Sequence, residues 1–537
     1  MWRIATRISI TIPHRGRMCH NYRRMARSLY IDPVWQERLP KVSVYRVADA
    51  FYPKRPPYHP AQPYPEYPFK THLGEEPNPA YAAVRGALEL LRLDAAHIGT
   101  PEWNPLSEFI QPDDLVVLKP NMVRDFHEFP EEGTEALITH GSIVRAVLDY
   151  VYLAKHGRGT VIIADSPQND ADWDGLWKAF AYEELLAFYR QVAPDMDLRI
   201  YEVRKEAVRK HKGVVIDRYQ RPGDPFGYSL IDLGEQSEFE EVPHRFGRLY
   251  GAEYDISDTN RHHQPGQHQY YIANTFLQAD VIINIPKLKT HKKSGITVWI
   301  KSVIGINGDK NWLPHHTEGL PSEGGDQFAE ETVKRKLEQR VTAFTKRLLK
   351  PLGVPGERMI TLLRKMAIPF LGDTNRDAIR SGNWHGNDTI WRTVYDVMKC
   401  WIYADKKGNL QTTPQRKFFC VVDGIIGGEG NGPLAPHAVG SGICIAGFDA
   451  IAVDTVSAVL MGFDPKKLKI LNRAPLARGY KIGFVNPDDI QVISNYPNWN
   501  GSPESIRDTL DFEPHFGWKG YLEAPHRLAN SQGSQGR

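Results

Sequence analysis

Cysteine is nearly missing from this chain. Only Cys19, Cys400, Cys420 and Cys444 occur, and none forms a Cys-x-x-Cys pair. Iron–sulfur clusters and zinc ribbons are therefore not expected, and so sparse a use of cysteine fits the reducing cytoplasm. No uninterrupted apolar run is long enough to span a bilayer. Neither charge dominates: 67 Lys and Arg against 64 Asp and Glu leave a formal +3 over 537 residues. A nucleic-acid binder of this size would carry a larger basic excess, so no nucleic-acid partner is expected. No acidic residue precedes Asp32, whereas Arg3, Arg7, Arg15, Arg17, Arg23, Arg24 and Arg27 do. That start fits an organelle transit peptide or a disordered tail ahead of a later start at Met25. A disordered tail is expected.

The remaining composition, 41% hydrophobic and 24% charged, is that of a globular protein. The length suits two domains or one α/β domain with insertions. Short β-branched runs recur at Val42–Val47, Leu115–Leu118, Thr160–Ala164, Val281–Ile285, Phe418–Val422, Ile443–Ala446 and Ile490–Ser494. Most are continuous rather than alternating, as in strands buried on both faces. Helical patterns lie between them. One is capped by Ser142 and runs to Lys155; another covers Ala450–Met461 and stops at Gly462. The fold class expected is α/β: a mostly parallel sheet with helices on both faces, plus a largely helical insertion. The boundaries are a basic tail over 1–30, a core in two parts at 31–308 and 387–520, the insertion at 309–386, and a second tail at 521–537.

Two stretches break the rhythm. Residues 51–79, rich in proline and tyrosine, read as an extended surface arm with no core of its own. In the insertion, Val333, Leu337, Val341, Phe344 and Leu348 recur at helical spacing, with Lys334, Arg335, Lys336, Arg340, Lys346 and Arg347 on other faces. The stripe is expected to pack on the parent domain, with peripheral membrane contact as the alternative.

In open α/β sheets, ligands bind beyond the carboxyl ends of the strands. Lys119-Pro120-Asn121, Asp165-Ser166-Pro167, Lys287-Leu288-Lys289-Thr290-His291 and Asp423-Gly424 each follow a strand run. Lys301 follows on a helix expected to begin near Ser294-Gly295, whose free N–H groups would add to an anion site. There is no Gly-x-x-x-x-Gly-Lys-Ser/Thr loop, so a nucleotide triphosphatase is not indicated. Gly427–Gly432 reads as a glycine-rich loop bringing Glu429 and Asn431 to a ligand. Asp449 reads as a helix cap; Asp454, one turn inside, faces rim or solvent. His262, His263 and His268 share a loop without a carboxylate at metal-ligand spacing, and His315, His316 and His385 follow. Asp388 is expected to cap a helix over Thr389–Tyr403, leaving Trp384 and His385 to close over a neighbouring site.

Asp280-Val281-Ile282-Ile283-Asn284-Ile285-Pro286-Lys287-Leu288-Lys289-Thr290-His291, with Gly295-Ile296-Thr297 and Lys301, resembles the central motif of the family called domain of unknown function 362. Val422-Asp423-Gly424 with Glu429-Gly430-Asn431-Gly432-Pro433, and Gly447-Phe448-Asp449-Ala450-Ile451-Ala452-Val453-Asp454, resemble its C-terminal motif; Lys119-Pro120-Asn121 resembles its N-terminal one. The resemblance spans roughly 110–475. Many members carry ferredoxin-type cysteine clusters, which implies redox chemistry for them; this chain has none. The motif order is also similar, at fold level alone, to nickel-pincer lactate racemases.

The functional expectation is an enzyme acting on a small anionic metabolite. Lys119, Asn121, Ser166, Lys287, Lys289, Lys301, Glu429 and Asn431 would bind its carboxylate or phosphate. His291 would carry the proton. Asp165, Asp423 or Glu429 would orient His291 or hold a divalent cation. Proton transfer such as epimerisation fits, as do ligation and redox chemistry with a borrowed cofactor; a non-catalytic binding or scaffold protein is the rival.

Overall fold

Apolar runs without alternation can be satisfied only by a sheet covered on both sides, and the computed structural model shows one. It describes residues 30–528 apart from 31, 212–213, 253–255, 350–351, 354, 357, 361, 364–365 and 367–377. The expected N-terminal tail, and the second tail from 529, lie outside the described residues. Within 521–528, Leu522 is buried and its carbonyl accepts from Asp464 N at 2.9 Å, so that stretch packs on the core.

Among the described residues, eleven strands form the main sheet. In chain order they are β1 (Lys41–Arg46), β2 (Val116–Pro120), β3 (Gly159–Asp165), β4 (Met196–Glu202), β5 (Val281–Ile285), β6 (Lys287–His291), β7 (Gly295–Thr297), β8 (Lys417–Asn431), β9 (Ala435–Val439), β10 (Ile443–Gly447) and β11 (Gln491–Ser494). The spatial order is β11-β1-β10-β8-β5-β2-β3-β4; β6 and β9 also pair with β8, and β7 pairs with β6. From β8 to β4 all neighbours are parallel; β10 runs antiparallel to both β8 and β1. All seven strand runs read from the sequence belong to this sheet. Every residue of β2 and β5 is buried, as a doubly covered strand requires.

The crossovers are helical. Helix α1 (Pro79–Leu90) follows β1, α2 (Gly141–Ala154) joins β2 to β3, and α3 (Tyr182–Val192) joins β3 to β4. Helix α4 (Trp299–Ser302) follows β7, α5 (Ile390–Tyr403) precedes β8, and α6 (Ala450–Leu460) follows β10. Ile143, Val147 and Val151 of α2 are buried as their spacing implies, but its cap is the His140 ring, which accepts from Ser142 N. Asp449 caps α6, accepting from Ile451 N and Ala452 N at 3.0 and 3.1 Å. Asn387, not Asp388, caps α5: its Oδ1 accepts from Thr389 N and Ile390 N, while Asp388 is spent on Trp391, Arg245, Arg392 and Lys469.

The proline- and tyrosine-rich stretch is no surface arm. Tyr52, Tyr58, Tyr67 and Phe69 are buried, and all but Tyr58 join the main hydrophobic cluster. Prolines hold this chain extended while its rings fill the core, so composition alone misreads it. The insertion also differs from expectation. Its first part packs on the core through buried Lys310, Trp312, Leu313 and Phe328, and Pro314–Thr317 pairs with Leu249–Gly251 as strands. A helix over Val333–Leu349 follows, but Val341, Phe344 and Leu348 are exposed rather than packed. The side chains of Val333 and Leu337 lie outside the described residues.

Candidate functional site

The register of the parallel strands brings their ends to one level. Ile285 stands opposite Pro120 and Asn284 opposite Lys119, so β2 and β5 finish together, with Asp165 closing β3 beside them. Lys119 and Asp165 are buried, with Lys119 Nζ 3.0 Å from Asp165 Oδ1. The approach has ion-pair distance without hydrogen-bond alignment, since that oxygen has no hydrogen-bond partner among the described residues. Asp165 Oδ2 accepts from Met122 N at 2.8 Å. Gly305 lies against the pair: a Cβ there would sit 1.9 Å from Asp165 Oδ1 and 2.8 Å from Lys119 Nζ. Only glycine lets the backbone come so close.

The central basic segment is a strand, not a loop, and its lysines have different fates. Lys287 Nζ donates to Tyr52 Oη at 2.7 Å and to Asp423 Oδ2 at 3.1 Å. Tyr52 Oη donates to Asp423 Oδ1 at 2.5 Å, and His140 N to Asp423 Oδ2 at 2.8 Å. Burial lowers the Lys287 amine and Asp423 opposes that; burial, then Asp423, pushes the Tyr52 phenol up. This buried pair is closed by its own partners. Lys287 and Asp423, expected to serve ligand and catalysis, instead pin Tyr52 and the 51–79 stretch against the sheet.

Beyond that pair, positive groups crowd together. Lys289 Nζ donates to the Leu137 and Pro433 carbonyls at 2.5 and 3.3 Å; burial, then Lys287 and Lys301, hold its amine well below the usual range. Lys310 Nζ donates to Ser166 O at 2.8 Å. Lys301 is 7% exposed, and its amine has no hydrogen bond or ion pair among the described residues. Burial, then Lys310 and Lys119, lowers it to about 7. The helix bearing it begins at Trp299 rather than near Gly295, and its first N–H groups are taken by Asp454, which accepts from Trp299 N and Ile300 N at 2.8 and 3.0 Å. That terminus offers nothing to an anion, and Asp454 faces neither rim nor solvent.

Two histidines complete the cluster in complementary states. His291 Nδ1 accepts from Lys293 N and Ser294 N at 3.0 and 3.2 Å. Two N–H donors fix a lone pair there, so the neutral ring carries its proton on Nε2. His315 Nδ1 lies 2.7 Å from the Leu313 carbonyl, which can only accept, so its lone pair is on Nε2. Burial, then Lys301, pushes His291 well below the usual imidazole range, and burial, then Lys293 and Lys301, does the same to His315. Both rings are neutral at pH 7: His291 donates, His315 accepts.

A family model described as domain of unknown function, DUF362, matches residues 206–459. No curated protein matches the chain. A crystal structure of a protein from Thermotoga maritima aligns with 63% of this chain at 10% identity and a TM-score of 0.25, a likeness that carries no argument. The aligned part spans about half of that protein's length, 53%. The DUF362 match includes Lys287, Lys289, His291, Lys301, Lys310, His315 and Asp423. Tyr52, Lys119, Asn121, Asp165 and Ser166 precede it, so the cluster is built jointly by the matched stretch and the chain before it.

The other candidates stand apart from Lys301 or serve the fold. Asn121 Oδ1 accepts from Val123 N at 3.1 Å, shaping its own turn. Ser166 adjoins the cluster, and its buried Oγ has no partner among the described residues. The stretch expected as a glycine-rich loop continues β8 and pairs with β9; Glu429 there accepts from Glu513 N at 2.8 Å, and Asn431 stands opposite Ala435. His262, His263 and His268 turn to Gln269, the Trp312 carbonyl and Glu240. Among the described residues no group of three or more His, Cys, Asp or Glu side chains is arranged to hold a metal ion. His385 stacks on Tyr521 at 4.2 Å and Trp384 donates to Asp326 O at 2.9 Å. The sequence does not single out Tyr52, Lys310 or His315, because none directly follows a strand run.

Proposed function

We propose that the chain is an enzyme that binds a small carboxylate- or phosphate-bearing metabolite at Lys301 and moves a proton on it. The observation that carries this reading is the Lys301 amine: buried, without a paired acid, among Lys119, Lys289, Lys310, His291 and His315. Cations that lower one another's charge are relieved by an anion. One carboxylate at ~4 Å from an ammonium gains about 4 kcal/mol at an effective dielectric of ~20, before desolvation. The His291 Nε2–H would donate to substrate oxygen. The His315 Nε2 lone pair, or the neutral fraction of Lys301, would take the proton, since an amine near 7 is divided between its two forms at neutral pH.

Buried free Cys400, Cys420 and Cys444 support a reducing compartment such as the cytoplasm. No helix among the described residues is long and apolar enough to cross a membrane.

The test is native mass spectrometry of the purified chain for co-purifying anions, followed by turnover assays with each anion found. Binding with turnover, the latter lost in His315→Gln while affinity is kept, supports the enzyme. Binding without turnover of any recovered anion favours a ligand-binding protein, and no binding at all rejects the site.

A further inference from the structure

The helix Val333–Leu349 inverts the order of a helix that packs on its parent domain. Its acidic residue faces inward. Glu338 is buried and paired with Arg335 at 2.6 Å and Arg380 at 2.9 Å, and the Arg335 guanidinium lies 5.5 Å from the centre of the Phe328 ring. Its apolar residues face outward: Val341, Phe344 and Leu348 are exposed, Phe344 by 68%. Steps of three and four residues put them on one face. Exposure continues beyond the helix through Leu352, Met359 and Met366. Of the sixteen large apolar side chains exposed among the described residues, eight lie in 341–366. Scattered exposed apolar residues need no explanation, but half of them gathered in one short segment does.

The charge of the same segment says what covers it. Residues 334–365 hold ten Lys and Arg against two acids, Glu338 and Glu357; Glu338 and Arg335 are spent on each other, and Arg358 donates to the Ile216 carbonyl at 2.5 Å, which still leaves a clear basic excess. Arg340 and Arg347 are exposed on the helix that carries the stripe. A second copy would set basic segment against basic segment, and a nucleic acid would have no use for the apolar face. A lipid surface with anionic headgroups satisfies both: apolar side chains enter the headgroup boundary while the basic ones meet the lipid phosphates and carboxylates. We infer that the exposed stripe of Val341, Phe344 and Leu348, with Arg340 and Arg347 on the same helix, docks the protein peripherally on an anionic membrane. This inference is independent of the anion site at Lys301.

The test is co-sedimentation of the full chain with vesicles of phosphatidylcholine alone or phosphatidylcholine with phosphatidylserine, at physiological and at high salt. Sedimentation is expected only with phosphatidylserine, weakened by salt and lost in Phe344→Glu. The double variant Arg340→Gln, Arg347→Gln should partition roughly thirtyfold less, from the loss of two surface charges worth about 1 kcal/mol each. If Phe344→Glu fails to fold, Leu348→Ser makes the same test. Absence of sedimentation with phosphatidylserine vesicles, or sedimentation unchanged in the apolar variants, overturns the inference. So does a dimer in analytical ultracentrifugation that Phe344→Glu abolishes without any vesicle binding, which would assign the stripe to a second copy.

Discussion

Replacing Lys301 by Met should stabilise the fold and destroy the site. Methionine keeps the length of the side chain and removes the charge. An amine lowered from 10.5 to about 7 in the folded chain costs on the order of 4 kcal/mol of stability at neutral pH. Relaxation and water reduce such penalties, so a gain of about 1–3 kcal/mol is expected from Lys301→Met. The sign follows from linkage. Between about 7 and 10.5 the unfolded chain binds the proton that the folded chain has released, so wild-type stability rises with pH across that window. The advantage of the variant is therefore full below about pH 7 and fades as pH approaches 10.5. Urea unfolding of both proteins at mildly acidic and at alkaline pH measures this, with the shift read in the midpoint at unchanged slope. Binding of any anion recovered with the wild-type chain should fall by tenfold or more, the worth of about 1.4 kcal/mol. A variant less stable than wild type, or a stability difference that does not change with pH, would refute the reasoning, because Lys301 would then be an ordinary solvated or paired lysine.

Other substitutions separate structure from site. Tyr52→Phe removes the hydroxyl shared by Lys287 and Asp423 and should cost about 1–3 kcal/mol in denaturant unfolding, with anion affinity unchanged. Gly305→Ala would drive a methyl into the Lys119–Asp165 pair. It should lower both stability and affinity, by about 1–3 kcal/mol in stability, in the same unfolding and binding measurements. Burial raises the Asp454 carboxyl from 3.8 to about 7, so between those values the folded chain holds a proton that the unfolded chain has lost, and stability falls as pH rises. Asp454→Asn should flatten that fall, seen as melting temperatures at pH 5 and pH 8 that lie closer together than in wild type.

The sheet was legible because its strands are buried on both faces and so read as unbroken apolar runs; Val281–Ile285 coincides with β5 residue for residue. β6 was not legible, since Lys287, Lys289 and His291 look polar until their partners are known: Tyr52 and Asp423 for one, backbone carbonyls for the next, backbone N–H groups for the third. The level of the rim followed from parallel topology. Its occupants did not, because proximity in a tertiary cluster leaves no spacing signal: His315 and Lys310 come from a segment read as an insertion. The exposed stripe at Val341, Phe344 and Leu348 shows the limit of periodicity, which identifies an amphipathic helix but not whether its apolar face meets protein or something else.

Competitive acetylation of Lys301 in the full chain, followed by mass spectrometry across pH, tests most directly whether the cation cluster is an anion site. Without added anion, the reactivity of Lys301 should titrate with a midpoint near 7. With saturating amounts of the anion recovered from the native protein, the midpoint should move upward and the amine should be protected, because a bound negative charge favours the ammonium. A midpoint in the ordinary lysine range, unmoved by that anion, would contradict the site.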